Sequence, residues 1–204
     1  MAEQQEKWRS YWDKSAAGYD DEMKFWDRLL YAGQREWVCE RAVGEVLEVA
    51  IGTGLNLPLY PDDVKLTGID ISDGMLEAAR LRADDLGREV DLRKGDAHQL
   101  PFEDNSFDTV VCTLSMCAIP DVDRSVREIH RVLRPGGRLV MVDHVVSPFW
   151  ILRLIQGFIE RFSVPSAGEH QRRRPILNVR AAGFTISESE RIKGGHVERL
   201  VATK

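Results

Sequence analysis

Two carboxylates and two glycines carry the first recognisable chemistry in this chain. Glu48 stands just before Gly52 and Gly54, and Asp70 comes near the end of the next aliphatic run. Glycines in a sharp turn let a ligand approach main-chain atoms that side chains would otherwise cover. A carboxylate at the end of a neighbouring strand accepts two hydrogen bonds from a ribose diol. The four residues together form a holder for a nucleoside.

Spacing separates the cofactors that contain one. A dinucleotide site wants G-x-G-x-x-G, with the third glycine packing a helix whose N-terminus faces the pyrophosphate. Leu57 occupies that third position. Glu48 is a poor neighbour for a pyrophosphate and a good one for a cation. S-adenosylmethionine carries a sulfonium and an ammonium and no phosphate, so the chemistry favours a methyl donor over a nicotinamide. A nicotinamide-dependent oxidoreductase is the alternative, and so is a protein that binds S-adenosylmethionine without catalysis.

These residues need a sheet to position them. Residues 46–51 and 65–71 read as buried strands, short and aliphatic. Helix is expected after Gly54 and over 73–86, strand near 90–94 and over 109–114, helix over 121–133 and strand over 138–143. Alternation of this kind predicts an α/β fold with a mainly parallel sheet covered by helices on both faces. Residues 5–40 read as a helical cap with an aromatic character, set by Trp8, Tyr11, Trp12, Tyr19, Phe25, Trp26, Tyr31 and Trp37. Packing against the core is the ordinary role of such aromatics, and a lid over cofactor or substrate is the other. In 147–162, Ile151, Leu154, Ile155, Phe158, Ile159 and Phe162 recur at helical spacing. Core packing is the plain expectation there. A wall of the substrate pocket or a peripheral membrane contact are the alternatives.

Composition bounds the possibilities. The 204 residues suit one well-buried domain. A 43% hydrophobic and 30% charged chain is that of a globular protein, and a net charge of −5 argues against a nucleic-acid partner. Arg172-Arg173-Arg174 is too short a basic run to reverse that. Cys39, Cys112 and Cys117 show no paired metal spacing, so no metal is expected, and their odd number suggests reduced thiols and a cytoplasmic location. No signal peptide and no run of about 18 apolar residues is evident.

The segment Glu48-Val-Ala-Ile-Gly-Thr-Gly54 resembles motif I of class I S-adenosylmethionine-dependent methyltransferases. The resemblance runs on through Gly68-Ile-Asp-Ile-Ser72, Gly95-Asp-Ala97, Leu100-Pro-Phe102, Ser106 to Cys112 and Arg131 to Gly137, covering roughly residues 44–145. Ala50 departs from the pattern, in which glycine is usual. The resemblance implies a Rossmann-like, seven-stranded sheet that closes with an antiparallel C-terminal strand pair, here 184–189 and 197–203. It divides the single domain into a cap at 1–42, a cofactor-binding core at 43–145 and a substrate-side helix with the final strands at 146–204.

It also implies roles. Asp70 would bind the ribose hydroxyls, Glu48 would order the glycine turn near the methionine portion, and Ala50 and Asn56 would lie in the same cofactor-binding segment. Ile71 and Met75 would sandwich the adenine, although a Met at helical spacing is more often core. Asp96 would bond the adenine amino group with Ala97 supplying an amide, a capping aspartate being the plain alternative. Tyr19-Asp20 resembles a pair that reaches over the cofactor. Leu114 and Cys117, after the fourth strand, sit where the methyl group should emerge, although a free thiol is commonly a buried filler. Asp143 and His144 are the candidates for removing a proton from the acceptor. Sub-family likeness points to small thiol methyltransferases and to ubiquinone/menaquinone-biosynthesis and phospholipid methyltransferases. The acceptor is expected to be small and fairly apolar, its reacting atom (sulfur, oxygen, nitrogen or carbon) undefined.

Overall fold

The sheet has seven strands in the order β3-β2-β1-β4-β5-β7-β6. The computed structural model describes residues 2–204, so Met1 of the expected cap lies outside the described residues. Strands β1 (Glu45–Val49), β2 (Lys65–Asp70), β3 (Asp91–Lys94), β4 (Phe107–Thr113) and β5 (Leu133–His144) pair in parallel. β7 (Val197–Thr203) lies antiparallel between β5 and β6 (Thr185–Ile192). Alternate side chains of one strand enter two different cores. Leu47, Val49, Ile69, Val110 and Met141 pack on one face, while Val46, Leu66, Val111 and Val140 pack on the other. The fold class and the C-terminal antiparallel pair are as the sequence predicts. The order reverses between β1 and β4, and a crevice at such a reversal is where ligands settle in open α/β sheets.

Helices α3 (Asp73–Leu86) and α4 (Val122–Val132) each begin at a polar cap. Ser72 Oγ accepts from the Met75 amide at 3.1 Å, and Asp121 from the Arg124 amide at 2.9 Å. The cap is α1 (Ala2–Trp26), a π-helical turn over Asp27–Tyr31 and α2 (Gln34–Cys39). After β5 come α5 (Trp150–Ala167) and α6 (Pro175–Ala181), the latter without a counterpart among the expected elements.

Three expectations are corrected. The helix after Gly54 is a single 3-10 turn, Leu57–Leu59, because Pro61 drives Tyr60 into extended backbone (ψ 145°) and stops the chain from coiling further. The aromatics of the cap are not mainly core. Tyr31 is buried, whereas Tyr11, Phe25 and Trp26 are exposed. The stripe of α5 does not pack inward: Ile151, Leu154, Ile155, Phe158, Ile159 and Phe162 are all exposed, and Gln156 is buried in their place. Helical periodicity defines a face but does not say which way it turns.

Candidate functional site

The turn after β1 is held in left-handed backbone. Ala50, Gly52 and Gly54 have φ of 56°, 59° and 78°. A side chain at Gly54 would meet Leu57 Cδ1 at 2.7 Å, so glycine is needed there for space as well as conformation. Ala50 takes the same backbone with a Cβ, at a cost of roughly 1–2 kcal/mol.

Asp70, at the end of β2, ties this turn to the next one. Its Oδ2 accepts from the Gly52 amide and its Oδ1 from the Ser72 amide, each at 2.9 Å. Burial raises its carboxyl above the ordinary range. Each oxygen keeps a second lone pair for a ligand hydroxyl. Asp70 lines a cleft with Ala50, Ile71, Asp96 and Ala97, roofed by Trp8 and Trp12 of α1. Met75 is buried outside that lining. Asp96 Oδ1 accepts from the His98 amide at 2.9 Å and lies 2.7 Å from His98 Nδ1. His98 Nε2 accepts from the Asp121 amide at 3.0 Å. The neutral ring therefore carries its proton on Nδ1, aimed at Asp96. This histidine stood outside the expected set, though it is only two residues from Asp96.

Glu48 does not face the cleft. Both its oxygens are taken in the core beneath the turn, Oε1 by Asn56 Nδ2 at 2.7 Å and Oε2 by the Tyr60 hydroxyl at 2.9 Å. Asn56 Nδ2 also donates to Thr113 Oγ1, and its Oδ1 accepts from Arg35 Nη1 at 3.1 Å. Burial pushes the Glu48 carboxyl up to about 7, against the lowering pull of these partners. Glu48 and Asn56 thus brace the turn from below, and β4 is tied into the same network through Thr113.

Helix α1 is clamped over the cleft by two aspartates. Asp13 Oδ1 accepts from Ser72 Oγ at 2.6 Å and from the Gly74 amide at 3.2 Å. Asp20 accepts from Thr53 Oγ1 at 2.6 Å and pairs with Arg82. Asp20 is therefore a clamp on the glycine turn. Tyr19 packs edge-on to Trp12, with ring centroids 6.2 Å apart. Trp8 donates from Nε1 to the Val164 carbonyl of α5 at 3.1 Å.

A second group gathers at the ends of β4 and β5. Leu114 has a φ of 52°, a left-handed conformation unusual for a bulky residue and found preferentially at functional positions. Cys117 donates weakly from Sγ to the Leu114 carbonyl at 3.6 Å, and burial raises its thiol well above the ordinary range. It is a protonated, inert group. Asp143 is fully buried and accepts from the amides of Cys117 (3.1 Å) and His144 (2.8 Å). Cys117, Asp143 and His144 offer metal-ligand atoms within 4.8 Å of one another, and the sequence separation of Cys117 from the other two conceals it. Internal hydrogen bonds already engage the thiol and the carboxylate. His144 Nε2 is buried with no hydrogen-bond partner among the described residues, and the ring stacks on His196 at 5.9 Å. Burial, and His144 beside it, push His196 down to about 4, and its Nδ1 lies 2.9 Å from Gln156 Nε2.

Glu169 and Tyr31 are coupled electrostatically to this second group; Glu169 was not among the expected residues, and Tyr31 was expected only as one of the cap aromatics. The Glu169 carboxyl is raised by burial and interacts electrostatically with His144, while Tyr31 and Tyr19 both feel its charge. No local pattern marks them, since they come from the loop after α5 and from the cap. The arginine run is spent on partners within the chain. Arg172 pairs with Glu160, Arg173 donates to the carbonyls of Met116, Ile119 and Pro120, and Arg174 lies 3.5 Å from Glu198. Asp108, at the opposite end of β4, accepts from the Glu45 amide and pairs with Arg134, a strand-start role far from the cleft.

Residues 47–141 match the family described as methyltransferase domain. A phosphatidylethanolamine N-methyltransferase of Cereibacter sphaeroides is 43% identical over 121 residues, covering 58% of this chain and 60% of that protein. A demethylmenaquinone methyltransferase of Symbiobacterium thermophilum is 37% identical over 149 residues, covering 66% of this chain and 58% of that protein. The matches thus span about three-fifths of each relative's length. A solved S-adenosylmethionine-dependent methyltransferase of Thermotoga maritima, described as a possible histamine N-methyltransferase, aligns with a TM-score of 0.74 over 96% of this chain and 99% of that one. At 22% identity that likeness speaks for the fold.

Proposed function

Because this chain belongs to the class I S-adenosylmethionine-dependent methyltransferases, we propose that it moves a methyl group to a small or lipid-soluble apolar acceptor presented to His144. The observation that carries the proposal is the pairing of an Asp70–Asp96 cleft with a buried, unpartnered His144 nitrogen at the same end of the sheet. The chemistry of the cleft's lining supports an adenosine there. Asp70 retains acceptor capacity for a ribose diol, Asp96 stands on the lining, and Ile71 and Ala97 give apolar surface. A pyrophosphate finds no helix N-terminus after Gly54, which leaves the nicotinamide reading unsupported.

S-adenosylmethionine supplies a methyl already activated by its sulfonium. Alignment and a dry site are then the main tasks left to the protein. Asp70, Asp96, Ile71 and Ala97 fix the nucleoside. The glycine turn, braced by Glu48 and Asn56, holds the adjoining backbone. Trp8 and Trp12 exclude water from above. His144 Nε2 takes the proton of an acceptor thiol, hydroxyl or ammonium, and Asp143, bonded to the His144 amide, fixes where that ring stands. Glu169 is the acidic side chain of this group that could face a cationic acceptor. The curated relatives are named for phosphatidylethanolamine and demethylmenaquinone, both lipid-soluble, in keeping with an apolar acceptor.

The test is calorimetric titration with S-adenosylmethionine, S-adenosylhomocysteine and NADH, repeated on folded Asp70→Ala, then turnover with thiols, quinols and amines. Binding of both sulfur nucleosides but not NADH, strongly weakened by the substitution, is expected. No binding of either by a folded sample sinks the proposal.

A further inference from the structure

Helix α5 turns its apolar face away from the fold. Trp150, Leu154, Phe158 and Phe162 are 61–67% exposed and, with Ile151 and Ile155, fall within one half of the helix circumference. On the opposite side Gln156 anchors the helix by donating to the carbonyls of Val145 (2.8 Å) and Gln171 (2.9 Å). A contiguous apolar patch of this kind on a folded protein marks a contact surface.

The border of the patch carries one sign of charge. A groove of about 510 Å³ between α1 and α5 is lined by Lys7, Tyr11, Lys14, Arg161 and Phe162 together with small or uncharged residues and, among the described residues, by no acid. Arg153 projects from the same helix. Among the described residues Lys7, Lys14, Arg153 and Arg161 have no acidic partner, whereas Glu160, the acid of α5, is held by Arg172.

We propose that this face docks on a bilayer containing anionic phospholipids, with the α5 aromatics in the interface and the cations against headgroup phosphates. Trp, Phe and Leu on one face with flanking Lys and Arg are the composition of a helix lying in a membrane interface, and long cationic side chains reach the phosphates while their stems stay apolar. A second copy of the chain fits less well. A two-fold contact is self-complementary, and pressing these patches together would bring two cationic rims into opposition. The outer side of α1 supplies Lys7, Tyr11 and Lys14, and its inner side supplies Trp8 and Trp12 to the cleft, so the bilayer would lie beside the cap. The proposal stands on this surface alone and does not rest on methyl transfer.

Flotation with phosphatidylcholine vesicles, with and without phosphatidylglycerol, tests it. The protein is expected to float with the phosphatidylglycerol vesicles and to be released by salt. Leu154→Ser/Phe158→Ser should abolish flotation. Lys7→Glu/Lys14→Glu should weaken it about tenfold or more and remove its salt sensitivity. All substituted sites are exposed, and circular dichroism with S-adenosylmethionine titration checks that each variant is folded. Failure of the native protein to float, or flotation indifferent to both double variants, overturns the proposal. So does a dimer in sedimentation equilibrium that Leu154→Ser/Phe158→Ser dissociates while vesicles bind nothing.

Discussion

The two halves of the candidate site are built on different principles. The half at the ends of β1 to β3 is short-range and closed. Asp70 bonds the amides of Gly52 and Ser72, and Glu48 is satisfied by Asn56 and Tyr60. The half at the ends of β4 and β5 draws on the cap, both strands and the loop after α5, and it keeps a buried histidine nitrogen without a partner. The first is made for holding something of constant shape. The second is made for reacting, where an unpaired group waits for a partner that changes from one step to the next. A larger cavity of about 740 Å³ at the amino ends of the strands, between Glu45, Lys65 and Arg88, has neither character. Its charged side chains are already engaged, Lys65 with Glu45 at 2.9 Å and Arg88 with the Tyr60 and Pro61 carbonyls, and volume alone is no guide to the site.

The contrast predicts that the halves fail differently. His144→Ala should lower kcat by about 10²–10⁴-fold for an acceptor that must lose a proton, with unchanged affinity for S-adenosylmethionine. Equal loss of both in steady-state and calorimetric measurements would erase the division. Glu48→Gln should affect stability and its pH dependence. The folded carboxyl is raised to about 7, above its unfolded value, so the folded state binds the proton more tightly and stability falls as pH climbs from about 4.5 to 7. Denaturant titrations should show that loss, on the order of 2–3 kcal/mol, in the native protein and a flatter profile in the variant. Asp70→Asn should weaken S-adenosylmethionine about tenfold to a hundredfold while leaving kcat at saturation nearly intact. Smallest of all, Ala50→Gly should relieve left-handed strain and raise stability by no more than about 1 kcal/mol, read as a small rise in melting temperature.

The closed half is also the legible one. A glycine turn, a strand and an acid at its end lie within some twenty-five residues, and their chemistry is written in local spacing. Glu48 shows the limit, since its position by the turn was plain but its inward direction depends on Tyr60 and Asn56 donating to it in the core. The short turn at Leu57–Leu59 was legible in principle, because Pro61 stands in the sequence. The nearness of Glu169 to His144 and of Tyr31 to Cys117 and Asp143 was not, since it arises only through the packing of α5 and the cap. Nor was the outward face of α5, whose apolar spacing is the same for a core helix and an interfacial one.

One helix touches both kinds of surface. Through Asp13 and Asp20, α1 is fastened to the turns that would grip the nucleoside, and through Trp8 it is fastened to α5. A spent nucleoside held beneath Trp8 and Trp12 would leave as those fastenings loosen, and they are mostly hydrogen bonds and ion pairs. The residence time of the nucleoside would then be set by the lever that covers it. A pull on the outer side of that lever would act as a clock on turnover without touching any reacting atom.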